Sequence, residues 1–364
     1  MTLAVVAVAS GNLPLLLWAT ATGVIAGGAA LWARMAWRGV EVTARFRPAR
    51  AFMGEAVVLR LQLTNTKRLP LPLVRLSVWL PRGLRAGGGS EPTTIRGFRR
   101  RISVPGRTKV TLDLPVIPMR RGEYWLERIR IELSDPFDLA PIHRELVPES
   151  DLLVMPQSRI EIPVEIRRRL PFGAPAPAQR MFEDRERFAG VRPYEPGDPL
   201  NRVHWKLSAH SGRLQIKLFE PSRTARVQLA LDLATGEPFW DSIYPDIAED
   251  VIEWASFLAH QAIGAGWRVG LVANTHLTRG RGPLRVPAST ARGQEAALFA
   301  ALARMPNEAT SDLAPILRVA GRDLGREATV VVLSPRPGRW LTHEMTVLRR
   351  RGAEVLHLSP LEVA

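Results

Sequence analysis

Residues 13–33, LPLLLWATATGVIAGGAALWA, contain no charged side chain. This run constrains the fold most, because a helix rising 1.5 Å per residue over that length covers a bilayer core of about 30 Å. Asn12 and Pro14 suit a helix start, and Trp18 and Trp32 stand near opposite ends, where interfacial aromatics belong. Arg34, Arg38, Arg45, Arg47 and Arg50 follow, opposed only by Glu41. The positive-inside rule therefore predicts that this flank, and everything after it, lies in the cytoplasm. A cleaved signal peptide would need a basic leading region, and residues 1–12 carry no lysine or arginine. The apolar LAVVAVA at 3–9 is too short to span. It reads either as the stub of a first helix over 1–10 or as the trace of a start codon placed too late. Residues 1–36 are thus expected to form a membrane anchor. Ala19, Gly23 and Gly27 put a small-xxx-small face on it that would suit a homo-oligomer.

From about residue 40 to 148 the pattern has period two. VVLRLQLTN sets Val57, Leu59, Leu61 and Leu63 against Arg60, Gln62 and Thr64; KVTLDLP and ERIRIEL repeat the alternation. Each reads as a strand with one buried and one wet face. Pro70, Pro72, Pro81, Gly87–Gly89, Pro105, Gly106 and Gly122 punctuate them. Short strands with such turn signals predict an antiparallel β-sandwich of immunoglobulin-like type. Residues 149–189, rich in Pro, Arg and Glu, read as a connector.

Beyond Arg226 the pattern changes. VQLALDL, RVGLVAN, TVVVLS and EVLHLS are almost continuous apolar runs, as strands covered on both faces require. Helical patterns at Asp246–Ile263, Ala291–Met305, Asp312–Leu324 and Leu341–Arg351 alternate with them, and Gly264 and Gly352 sit where a helix should stop. Residues 223–364 are therefore expected to form a doubly wound α/β domain. The fold class is α/β plus all-β behind a transmembrane segment.

The composition, 46% hydrophobic and 23% charged, is that of a globular chain. With no cysteine, disulfides, Cys-based zinc sites and thiol catalysis are excluded. The net charge of +15 implies an attraction to something acidic, whether nucleic acid, anionic lipid or an acidic protein. Arg99, Arg100, Arg101, Arg120 and Arg121 concentrate part of it in the sandwich, where anionic lipid is the simplest counterpart.

Between the two soluble domains lies GVRPYEPGDPLNRVHWKLSAHSGRLQIKLFEP at 190–221, within the segment 190–222 that stands out. Gly197-Asp198 reads as a tight turn with Arg192 and Arg202 near enough to flank the carboxylate. LQIKLFE alternates like a strand and is expected beside VQLALDL, with Trp205 a buried anchor and Lys206, His210 and Arg213 facing outward. On this reading Arg192, Asp198, Arg202 and Trp205 form a clasp that docks the connector onto the α/β domain, and the whole motif, which a partner could also read, comprises Arg192, Tyr194, Gly197, Asp198, Arg202, His204, Trp205, Lys206 and Lys217. A hydrolase would draw on Asp198 and His204 with Ser208 nearby, yet no nucleophile elbow accompanies them. No Walker-type or GxGxxG phosphate loop occurs.

This segment, the VQLALDL strand, RRGEYWLERIRIELSDPFDLA at 120–140 and GWRVGLVAN at 266–274 together resemble the DUF58 proteins, a family of unknown function. The resemblance covers almost the whole chain. It implies a von Willebrand factor A-like α/β domain and an association with MoxR-type AAA+ ATPases and with membrane proteins carrying a transglutaminase-like domain. It implies no catalytic residue and no cofactor. In such a domain a divalent cation sits on Asp-x-Ser-x-Ser after the first strand. Here the position reads Asp232-Leu233-Ala234-Thr235-Gly236, leaving Asp232 alone in a degenerate site that one carboxylate cannot complete. The function expected is a membrane-anchored cytoplasmic scaffold or adaptor. A membrane-associated hydrolase using Asp198 and His204 is the alternative, and an anionic-lipid or nucleic-acid binder the third reading.

Overall fold

The computed structural model describes residues 13–87, 97–157, 163–171, 182–195, 198, 202–222, 225–240, 244–277, 282–322, 324, 328–336 and 341–363. The chain divides into two compact units, Met1–Met155 and Pro156–Ala364.

In the first unit, helix Leu13–Ala36 is long and apolar enough to cross a membrane, about 36 Å at 1.5 Å per residue. Its Gly23 and Gly27 face open space. Its last turn behaves differently. Trp32 and Ala36 are buried in the core of the sandwich, and Lys67 Nζ donates to the Met35 carbonyl at 3.0 Å and to the Ala36 carbonyl. An ammonium there satisfies carbonyls that a helix end leaves orphaned. Trp32 is thus a core residue and not the interfacial anchor its position suggests, because the helix docks its final turn on the strands that follow. Asn12 lies outside the described residues.

The sandwich packs one sheet, β1 (Val40–Arg47), β3 (Val57–Asn65), β7 (Thr108–Pro118) and β5 (Leu84–Ala86), against another, β10 (Ile142–Leu146), β9 (Arg128–Ser134), β4 (Leu71–Trp79) and β6 (Gly97–Val104), in those orders. Leu59, Leu61 and Leu63 from the first and Leu76, Ile129, Ile131 and Leu133 from the second share one core. A small third sheet orders β2 (Arg50–Phe52), β11 (Asp151–Met155) and β8 (Gly122–Trp125). Residues 151–155, read as the start of a connector, are thus a strand of this unit.

The 120–140 segment is built around two side chains. Tyr124 donates its hydroxyl to the Arg120 carbonyl at 2.8 Å. The hydroxyl lies so close to Gly83, whose φ is +98°, that a Cβ there would come within 2.3 Å of it. Asp135, 1% exposed, accepts from the backbone N–H groups of Phe137, Leu139 and Ala140 at 2.9, 2.9 and 2.7 Å. Arg121, expected at the surface, is 8% exposed.

The second unit is a three-layer α/β structure. Its sheet runs β16 (Pro283–Ser289), β15 (Arg268–His276), β14 (Arg226–Leu231), β17 (Thr329–Leu333), β18 (Glu354–Leu358), with β16 antiparallel and the others parallel. Helices Pro245–Gly264 and Gln294–Arg304 cover one face through Leu258 and Leu302. Helices Leu313–Ala320 and Thr342–Arg350 cover the other through Leu317 and Leu348. Burial on both faces is why these strands are apolar throughout. Gly264 is still helical, and the left-handed turn falls to Gly266 at φ +81°. Gly352 adopts φ +92°, where the sequence places the stop. The stretch read as a connector also carries helix Val164–Arg169, whose Ile166 joins the core under helix Pro245–Gly264.

The sequence places LQIKLFE beside β14, and the structure does not. β14 already has β15 on one edge and β17 on the other, so no edge is free. Strand β13 (Gln215–Ser222) instead pairs antiparallel with β12 (Phe182–Pro193) in a separate two-stranded ribbon, with helix Trp205–Ser211 between them.

Candidate functional site

The β12–β13 ribbon holds the 190–222 motif, and a planar ion pair organises its turn. Arg192 Nη1 donates to Asp198 Oδ2 at 2.7 Å and Nη2 to Oδ1 at 2.6 Å, the bidentate geometry arginine favours. Asp198 Oδ2 also accepts the Glu195 N–H at 2.9 Å. The Arg192 guanidinium and then the Glu195 N–H hold this carboxyl below the usual carboxylate range, and the charge of Arg202 acts in the same sense. Tyr194 continues the ribbon through its N–H to the Leu214 carbonyl at 2.9 Å, and Lys217 stands opposite Val191. Gly197 lies outside the described residues.

Helix Trp205–Ser211 is fastened to β13 by residues that sequence reasoning also offers to catalysis. His204 is the N-cap: its Nδ1 accepts the Leu207 N–H at 3.2 Å, which requires Nδ1 to be unprotonated. Its own N–H donates to the Gln215 carbonyl at 2.7 Å, and the Gln215 N–H donates to buried Ser208 Oγ at 2.8 Å. Val203 and Ile216, 3% and 2% exposed, bridge beneath. Trp205 is not the anchor. It is 65% exposed, because Val203 and Ile216 already fill the space behind the helix and its first turn faces outward. Lys206, His210 and Arg213 are exposed beside it. Asp198, His204 and Ser208 each therefore carry a structural contact.

The second constellation lies at the C-terminal ends of the parallel strands. Chain order reverses between β14 and β17, and in open α/β sheets that switch point is where ligands gather. Asp232 follows β14 there and is fully buried. Its carboxylate accepts from Arg336 Nε at 3.0 Å, Arg336 Nη2 at 3.3 Å, Ser334 Oγ at 2.7 Å, Asn274 Nδ2 at 2.7 Å and the Ala234 N–H at 3.1 Å. Asn274, at the end of β15, accepts the Leu233 N–H through its Oδ1 at 2.8 Å. Burial pushes the Asp232 carboxyl up, and Arg336, Ser334 and the Ala234 N–H pull it back toward ionisation. Arg336 also approaches the Gly236 carbonyl at 3.4 Å and Asp312 at 3.8 Å. A guanidinium thus faces Asp232 where a cation would sit, and among the described residues no group of three or more His, Asp or Glu is placed to hold a metal.

Asn274, Ser334 and Arg336 are the partners the sequence leaves unassigned. The available signal is positional: each is a polar residue at or just beyond the end of an otherwise apolar run that covers a parallel strand. Above them, the loop after β14 is braced by the Tyr244 N–H on Thr235 Oγ1 at 3.0 Å. It displays Trp240 and Tyr244, 68% and 55% exposed, with the Phe239 and Trp240 rings edge to face at 4.8 Å.

Residues 190–359 match the family model described as "Protein of unknown function DUF58". The chain is 25% identical over 222 residues to the uncharacterized protein YeaD of Bacillus subtilis (strain 168). That alignment takes in 59% of this chain and 51% of YeaD, so the chain spans about half the length of this relative. Solved structures similar to part of the chain include the CARDB domain of a Pyrococcus furiosus protein in complex with di-metal ions, at 11% identity and a TM-score of 0.22 over 33% of this chain and 98% of that one. A non-cellulosomal cohesin from Archaeoglobus fulgidus is similar at 13% identity and a TM-score of 0.22, over 32% of this chain and 91% of that one.

Proposed function

We propose that the chain is a membrane-anchored scaffold that presents its α/β unit, on the cytoplasmic side, to a AAA+ ATPase of the MoxR type. The observation that carries this reading is the exposure of Trp240 and Tyr244 on the segment that follows β14, beyond a switch point where Arg336 closes the buried Asp232. Solvent-exposed aromatics on a braced loop are the chemistry of protein recognition, where Trp and Tyr act as binding anchors. We read the sheet, with its reversal between β14 and β17 and its antiparallel edge β16, as von Willebrand factor A-like. That reading rests on strand order together with the 190–222 and 266–274 motifs. The sandwich is read as immunoglobulin-like, with the Tyr124-to-Arg120 bond in its support. The cytoplasmic side follows from the arginines after helix Leu13–Ala36.

Two measurements test this. Full-length chain in detergent should recover a MoxR-type ATPase, and Trp240→Ala should lose it; recovery that Trp240→Ala leaves unchanged overturns the docking reading. The chain has no cysteine, so a single Thr43→Cys on the exposed face of β1 reports sidedness on a clean background. Labelling by a membrane-impermeant maleimide only after permeabilisation is expected, and labelling of intact cells reverses the orientation.

A further inference from the structure

The outer face of the β10–β9–β4–β6 sheet carries an unusual arrangement of charge. In its register Ser77 on central β4 stands between Arg99 on β6 and Arg130 on β9, and Arg75 stands between Arg101 and Glu132. Partners directly opposite in an antiparallel pair share a face, and like charges placed so repel. Arg75 is spent on Glu132 and Asp138. Among the described residues Arg99, Arg101 and Arg130 lie beyond salt-bridge distance of a carboxylate; Glu145, opposite Arg130, is bridged to Arg128, and Asp138, on which the charge of Arg101 acts, is bridged to Arg75. Ser77 is the small member of this row, so the surface sinks over it into a pocket of about 290 Å³ whose lining is Trp79, Ser77, four arginines and one carboxylate, Glu132, which Arg75 neutralises. Arg128 lies over the outer Trp79 ring at 4.5 Å and pins it as a wall. Within this face Arg130 Nε is buried and has no hydrogen-bond acceptor. That N–H needs an acceptor, and an anion seated in the pocket would supply one.

We propose that this pocket binds a water-soluble phosphate-bearing molecule, its phosphate seated over Ser77 between Arg99 and Arg130. The volume suits a small ligand and not a protein segment. A lipid phosphate carries the same chemistry, and the vesicle arm of the test separates the two sources.

The test is calorimetric titration of the full chain, in nanodiscs of zwitterionic lipid, with inorganic phosphate against chloride at matched ionic strength. Saturable phosphate binding is expected, weakened about tenfold or more by Arg99→Gln and by Arg130→Gln, as loss of a charge-assisted hydrogen bond entails. Ser77→Trp, which fills the pocket without changing charge, should abolish it, and keeps the test open if Arg130→Gln does not fold. Arg100→Gln removes the same charge from the same strand but opposite buried Leu76, and should leave affinity within about twofold. The proposal falls if phosphate does not saturate the chain, or if Arg100→Gln weakens binding as much as Arg99→Gln. It also falls if Arg99 governs binding to phosphatidylglycerol vesicles and not to phosphate.

Discussion

Asp232 and Arg336, 104 positions apart, meet at the C-terminal edge of the α/β sheet with Nε 3.0 Å from Oδ2, and their side chains are 0% and 4% exposed. Removing one member of a pair buried so deeply strands the other charge away from water, at a cost of about 3–5 kcal/mol. Asp232→Ala and Arg336→Ala should each lower the free energy of unfolding by that order. Replacing both by leucine should recover most of the loss, since a buried pair is worth little more than well-packed apolar groups. Denaturant unfolding of the parent and the three variants checks both statements. A double variant as unstable as the worse single one would mean the network does more than satisfy its own charges.

The Arg192–Asp198 pair titrates in a predictable direction. Its Asp carboxyl is depressed in the folded chain, first by Arg192 and then by the Glu195 N–H. Its contribution is therefore full above the ordinary Asp range near pH 4, and is lost as pH falls through the lower folded value. Arg192→Gln should loosen the β12–β13 ribbon at pH 7, and the gap between variant and parent should close as the pH drops below about 4. Hydrogen exchange of the Tyr194 N–H, bonded to the Leu214 carbonyl across the ribbon, reports this directly. A gap that stays constant down to pH 2 would assign the turn's stability elsewhere.

What could be read from residues alone follows the range of the interaction that sets each feature. Leu59, Leu61 and Leu63 announce their strand because alternation is local, and all three are fully buried. The apolar run of β14 likewise announces burial on both faces. The partner of β13 is not local. FEDRERFAGVRP, which forms β12, alternates poorly and is heavily charged, so nothing in it declares a strand. Trp205 and Trp32 depart from expectation for a shared reason: composition says that a tryptophan wants burial or an interface, but neighbours already in place decide which one gets it. Asp232 was visible as a strand-end acid, whereas Arg336 as its counter-ion depends on two strands meeting across the switch point.

Asp135 offers a local prediction within the sandwich. Burial would raise its carboxyl, yet the N–H groups of Ala140, Phe137 and Leu139 together hold it below the usual range, so it is an ionised acceptor at neutral pH. Asp135→Asn puts an amide donor against N–H groups that need an acceptor, and should cost about 1.5–3 kcal/mol, close to the cost of Asp135→Ala. Thermal unfolding of the two variants checks this. An Asn variant as stable as the parent would show that one oxygen is enough.

The exposed tryptophans separate binding from folding. Trp205 and Trp240 are about two-thirds exposed and make little of the core, so Trp205→Ala and Trp240→Ala should leave the unfolding midpoint within a degree or two. If either is a recognition anchor, its truncation costs the complex at least about 2 kcal/mol, roughly thirtyfold in affinity. Ser208→Ala is the opposite case. It removes the acceptor of the Gln215 N–H beneath the same helix and should destabilise by about 1–3 kcal/mol. Any effect on binding should then appear only as far as helix Trp205–Ser211 loosens. Measuring affinity and melting for all three variants assigns the surface: loss of binding with unchanged melting at one tryptophan and not the other names the side of the unit that the partner covers. Unchanged affinity at both removes these aromatics from recognition altogether.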